Sequence, residues 1–132
     1  MAKHAKSDQI ARKLAVAAAR VAHDNNAEDI TILDLRGVSP VTDYFLICTG
    51  TSDRQIRALA EHIEEHGKSM GQPVWRVAGK DKADWVLLDF VDVVVHLFAE
   101  SRRKHYDLEL IWGEVPRVRW QRGGSARKGA SP

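Results

Sequence analysis

The stretch from Trp85 to Phe98, W-V-L-L-D-F-V-D-V-V-V-H-L-F, constrains the fold more than any other part of the chain. It holds two runs rich in β-branched and aromatic residues, Trp85 to Phe90 and Val93 to Phe98, separated by Val91-Asp92. That is the pattern of an antiparallel hairpin at the centre of a sheet. Side chains alternate across a strand, so a two-residue turn pairs Phe90 with Val93, Leu88 with Val95 and Val86 with Leu97. One face is then wholly apolar. The other sets Trp85, Leu87 and Asp89 against Val94, His96 and Phe98, mixing aromatics with one acid and one imidazole. Such a face reads as a docking surface, because a small sheet can bury one side under helices and leave the other for a partner. It also reads as a second helix-covered face with two satisfied polar residues. Shape alone favours that blander reading, since buried aromatics are commoner than exposed ones.

At 132 residues the chain suffices for one domain with a real core plus tails, and is too short for two. No run approaches the roughly eighteen apolar residues of a membrane helix, and no apolar segment follows the polar N-terminus as in a secretion signal. The expectation is a cytoplasmic protein with no membrane partner. The lone Cys48 sits among Leu46, Ile47 and Thr49, where it reads as a small buried strand residue rather than a catalytic thiol. The net charge of +2 is unevenly spread. From residue 113 onward Arg117, Arg119, Arg122, Arg127 and Lys128 face only Glu114, leaving 15 basic and 17 acidic residues in the first 112. The body therefore shows no nucleic-acid footprint, and a protein partner is the better fit. The basic end reads as a disordered solubilising tail with, at most, weak contact to RNA phosphates.

Ser7 fits an N-cap, with Ile10, Leu14, Ala17 and Val21 behind it at helical spacing and a stop near His23-Asp24-Asn25-Asn26. Asp29 to Leu35 is a strand apolar on both parities, Arg36-Gly37 turns the chain, and Asp43 to Gly50 is a second, central strand. Ser52 and Gln55 form a capping box that starts a helix. Its buried stripe is Ile56, Leu59, Ala60, Ile63 and Met70, and Gly71 with Pro73 ends it. Val74 to Ala78 is a short edge strand, and Glu100 to Trp112 a charged amphipathic helix stopped by Gly113. The order α-β-β-α-β-β-β-α predicts an α/β fold, a mixed sheet of about five strands with flanking helices.

Catalysis has two weak footholds. Asp89 and Asp92 lie close together, and Gly50-Thr51-Ser52 stands at a helix N-terminus that could cradle a phosphate, as in a magnesium-dependent nucleotidyltransferase. Three residues apart on an extended hairpin the two carboxylates point to different sides, and the capping box explains the Gly-Thr-Ser step structurally. His96 beside Asp89 could form an acid–base pair but lacks a nucleophile, and the other histidines show no ligand spacing. No catalytic residue, metal site or cofactor is expected.

Three blocks then carry a resemblance: D-Y-F-L-I-C-T-G-T-S-D-R-Q-I at Asp43 to Ile56, the hairpin Trp85 to Phe98, and R-R-K-H-Y-D-L-E-L-I-W at Arg102 to Trp112. In these the chain closely resembles the ribosomal silencing factor family, the Iojap-related proteins also called RsfS. The resemblance covers residues 7–112 as an Iojap-like ribosome-binding domain and leaves 113–132 outside as the basic tail. It implies an α/β fold like nucleotidyltransferases in outline but without their catalytic acids, often as a homodimer. It also implies binding to the large ribosomal subunit through ribosomal protein fourteen of that subunit. There such a factor sterically blocks the small subunit from joining and represses translation in starvation or stationary phase. The family's contact surface includes the tryptophan matching Trp85, which lifts the docking reading over its competitor. The candidate partner-binding residues are Trp85 as aromatic anchor, Leu87, Asp89 facing a basic group, and Phe90 from the opposite parity. The family commonly has glycine where this chain has Val91, a residue that disfavours positive φ.

Overall fold

The structure, a computed structural model, describes the backbone of residues 2–105 and 113–122 and the side chains of 8–103 and 113–122. The elements follow the expected order: α1 (Ala2–Asp24), β1 (Glu28–Asp34), β2 (Tyr44–Gly50), α2 (Asp53–Ser69), β3 (Arg76–Ala78), β4 (Trp85–Asp89), β5 (Val93–Ala99) and α3 (Glu100–His105). They build a five-stranded mixed sheet, β1-β2-β5-β4-β3, with β5 in the middle. Only β2 and β5 run parallel, which requires a long crossover, and α2 lies within it.

α1 and α2 pack together on one face. The alanines Ala11, Ala15, Ala18, Ala19 and Ala22 let α1 approach closely, while Ile56, Leu59 and Ile63 of α2 press onto Leu46, Val86, Leu88, Val95 and Leu97. The hairpin register is as the alternation requires, with Val86 opposite Leu97 and Leu88 opposite Val95, and Phe90 N–H donating to Val93 O at 2.8 Å. Val91 nevertheless adopts φ +77°. Asp92 N–H closes the bend onto Phe90 O at 3.0 Å, and Asp92 O accepts from Asp43 and Tyr44, tying the turn to the start of β2.

The capping box forms with one shift of partner. Ser52 Oγ accepts from Gln55 N–H at 3.1 Å, whereas Gln55 Oε1 accepts from Thr51 N–H at 2.6 Å rather than from Ser52. Gln55 Nε2 also donates to Asn25 O and Asn26 O, so the same side chain holds the end of α1. Asn26 takes the left-handed conformation, φ 69°, that ends that helix. At its other end α1 is pinned by Arg36, which bonds Asp8 and Asp34 at 2.6 Å each, while Tyr44 Oη donates to Asp8 at 2.9 Å.

Two expectations are corrected. Ser7 is not an N-cap, because α1 begins at Ala2 and Ser7 lies inside it. Nothing upstream breaks a helix, so the good helix formers before Ser7 continue it. Nor is the C-terminal segment a disordered tail over residues 113–122. It runs along the free edge of β1, where Arg117 bridges Leu33, Asp34 N–H donates to Pro116 O at 2.8 Å and Val118 N–H to Ile32 O at 2.9 Å. Val118 is 6% exposed. Trp120 packs on the core beside it and donates its indole N–H to Ile30 O. Arg117 and Arg119 alternate with Val118 and Trp120, as a half-buried edge segment requires, and Arg122 pairs with Asp24 at 2.9 Å. The expected helix over residues 100–112 is described as far as His105, and Tyr106, Leu108, Leu110 and Trp112 lie outside the described residues.

Candidate docking face

The sheet's second face is assembled from the odd-numbered positions of β4 and the even-numbered ones of β5. Trp85 pairs with Phe98, Leu87 with His96 and Asp89 with Val94, and β2 adds Phe45 opposite Val94 and Ile47 opposite His96. Leu33, Leu35, Ile47 and Phe98 are buried on this face, with Phe45, Trp85 and Val115 packed against them. Phe45, Trp85, Leu87, Asp89 and Val94 are half-buried, with Trp85 at the end of β4 away from the turn.

His96 lies at the centre, 5% exposed. Trp85 Nε1–H donates to its Nδ1 at 3.1 Å, Phe45 meets its ring edge-on at 4.5 Å, and Phe98 lies parallel to it at 6.0 Å. Burial pushes its pKa down to about 4. At neutral pH the imidazole is uncharged, with Nδ1 accepting and the proton on Nε2.

Asp89 is not the partner of His96. Its Oδ1 accepts from Val91 N–H at 2.8 Å, supporting the positive-φ turn, and its Oδ2 lies 3.9 Å from the Arg76 guanidinium across the β3–β4 ladder. Arg76 in turn lies over the exposed Trp75 ring, 5.7 Å from its centroid. Phe90 is separated from the other three candidates. It is 8% exposed on the helix-covered face, where its ring fills the space beside Gly67 that a Cβ would occupy. Phe90 therefore belongs to the core, by the same alternation that puts Trp85, Leu87 and Asp89 on the other side.

The residues that suggested catalysis are used otherwise. The Thr51 and Gln55 amides at the start of α2 bond side chains of the capping box. Burial drives the Cys48 thiol up to about 12, so it stays protonated at neutral pH and is no nucleophile. Among the described residues no group of three or more His, Cys, Asp or Glu could hold a metal ion, and no helix is long and apolar enough to cross a membrane. Sequence reasoning missed Phe45 and Arg76 on this face. The lysine-poor, aromatic composition of Asp43 to Gly50 offered no sign of which strand it would pair with.

Fold and face together define a class: an α/β domain whose mixed sheet is sealed by helices on one side and half-open, ringed by aromatics, on the other. The sequence matches the family described as "Ribosomal silencing factor during starvation" over residues 8–131. It is 48% identical over 99 residues to the ribosomal silencing factor RsfS of Bacillus subtilis, spanning 75% of this chain and 84% of that one. It is 36% identical over 90 residues to the mouse protein named "Mitochondrial assembly of ribosomal large subunit protein 1", 66% of this chain and 40% of that one. A crystal structure from Chromobacterium violaceum superposes with a TM-score of 0.72 at 34% identity, covering 80% of this chain and 85% of the other. The chain belongs to the ribosomal silencing factor family.

Proposed function

We propose that the protein binds the large ribosomal subunit through ribosomal protein fourteen of that subunit, using the half-open face around Trp85. Its bulk there keeps the small subunit from joining and so lowers translation when nutrients are scarce. One observation carries the assignment of the surface: in a chain of this family, one sheet face is left half-open and carries a half-buried tryptophan, while the other is sealed by two helices. The mouse relative's name, which refers to the ribosomal large subunit, supports the choice of subunit.

The chemistry required is modest, because nothing is made or broken. A half-buried indole supplies large apolar area with little rotamer entropy to lose, the usual makeup of an interface anchor. Leu87, Phe45 and Val94 extend that area, and Asp89 with Arg76 forms a charged rim that selects orientation. Cosedimentation with purified large subunits is the test. Trp85→Ala is expected to weaken binding by roughly tenfold or more, the scale of an anchor residue, and Leu87→Ala by less. Undiminished binding by a folded Trp85→Ala protein overturns the assignment of this surface.

A further inference from the structure

We propose that His96 is the positioning residue of this face: its Nδ1 accepts the indole N–H of Trp85 and so fixes the plane in which that ring meets a partner. The inference rests on the docking reading above and adds to it a residue that itself makes no contact with the partner.

Four observations converge on it. The Trp85–His96 hydrogen bond joins two strands across the face at 3.1 Å. The histidine is itself held on the central strand, with Leu87 and Ile47 as its neighbours in register, Phe98 parallel to its ring at 6.0 Å and Phe45 against its edge at 4.5 Å. An indole bonded to so fixed an acceptor has its orientation set before any partner arrives, which lowers the entropy lost on docking. Burial keeps the imidazole neutral, and only the neutral ring has a lone pair to offer.

The fourth observation weighs against a merely structural histidine. Nε2 is buried and has no hydrogen-bond partner. An unsatisfied buried donor is destabilising, and a site filled for stability alone would hold an apolar side chain like those of Phe98 and Val94 beside it. What an apolar residue could not supply is the acceptor for Trp85.

Asparagine and glutamine separate the two ring nitrogens. In His96→Asn the side-chain carbonyl stands near the position of Nδ1 and keeps the acceptor, whereas in His96→Gln the amide is displaced towards Nε2. Three readouts apply to the full-length protein. In two-dimensional ¹H–¹⁵N spectra the Trp85 indole resonance, identified by its disappearance in Trp85→Phe, stays near its original position in His96→Asn and moves in His96→Gln. In cosedimentation with large subunits His96→Asn binds within about threefold of the original protein and His96→Gln about tenfold more weakly, the scale expected for losing one hydrogen-bonded positioning contact. In the Trp85→Phe background, which has no indole N–H, exchanging Asn for Gln at position 96 changes nothing further.

Equal binding by folded Asn and Gln variants overturns the positioning role, and if Trp85→Ala still weakens binding, the docking face itself survives. If Trp85→Ala binds undiminished, the surface assignment fails first and the positioning role fails with it. A Gln variant that loses affinity equally in the Trp85→Phe background also overturns the proposal, because its effect would then not pass through the indole.

Discussion

The two faces of one sheet are built from alternate residues of the same strands, yet they differ in kind. Val86, Leu88, Val95 and Leu97 meet two helices and are fully buried. Trp85, Leu87, Asp89 and Val94, one position away along the same backbone, are half-buried around a histidine. On the function proposed above, stability and recognition are separated here by parity. The helix-side residues lose apolar surface to the core on folding, whereas the other set keeps part of its apolar surface exposed, the part that the proposal assigns to a partner.

The separation is broken most directly by truncating one residue of each parity. Leu88→Ala removes a fully buried side chain and is expected to destabilise the fold by about 2–5 kcal/mol in chemical denaturation. Leu87→Ala, on the half-open side, should cost under about 1 kcal/mol while still reducing affinity for large subunits. Equal destabilisation by the two would mean that both faces serve the fold alike.

Acid tests the one titratable group at the centre of the open face. The folded-state pKa of His96 lies below its ordinary value of 6.5, at about 4, so the unfolded chain binds the proton more readily. His96 therefore contributes stability that is full above about pH 6.5 and is lost as pH falls towards 4. The loss across that window is on the order of 3 kcal/mol from this group. Carboxylates titrate there as well, so the measurement is the difference between the original protein and His96→Asn in denaturation curves at a series of pH values. Parallel curves would show that His96 is not buried as neutral imidazole.

The C-terminal segment joins the two faces at the β1 edge. Val118 and Trp120 pack with the helix-side core and Val115 with the opposite cluster. Trp120 also receives the Arg20 guanidinium on its carbonyl at 2.8 Å and lies 5.4 Å from the His23 ring. Trp120→Ala is expected to lower stability by about 2 kcal/mol, less than a fully buried aromatic would. It should also leave affinity for large subunits unchanged, since it acts on the sealed side. A loss of affinity at unchanged stability would instead move the edge segment into the docking surface.

What the sequence disclosed followed the range of the interactions. The hairpin register from Trp85 to Phe98 was legible because alternation and a two-residue turn are local, and the stripe Ile56, Leu59, Ala60 and Ile63 was legible because helical spacing is local. The parallel pairing of β2 with β5 was not, since it joins residues about fifty positions apart, and so Phe45 could not be placed beside His96. Phe90 stands among the candidate contacts from the opposite parity, and that parity decides for the core. The edge segment was hidden by its charge: alternation over Arg117, Val118, Arg119 and Trp120 was present, but only β1, over eighty residues upstream, gives that alternation something to pair with.

The smallest expected effect belongs to the turn where the two parities meet. Val91 holds φ +77° with a branched side chain that is 53% exposed, a conformation that costs an L-residue roughly 1–2 kcal/mol relative to glycine. Val91→Gly relieves that strain but gives the unfolded chain more freedom, so the net gain is expected to be at most about 1 kcal/mol. Because the turn feeds both strands equally, the stabilisation should leave the Trp85 indole resonance and the affinity for large subunits unaltered. If affinity falls while stability rises, the strained turn aims the open face as well as closing the hairpin, and recognition then begins at the turn rather than at the strand positions alone.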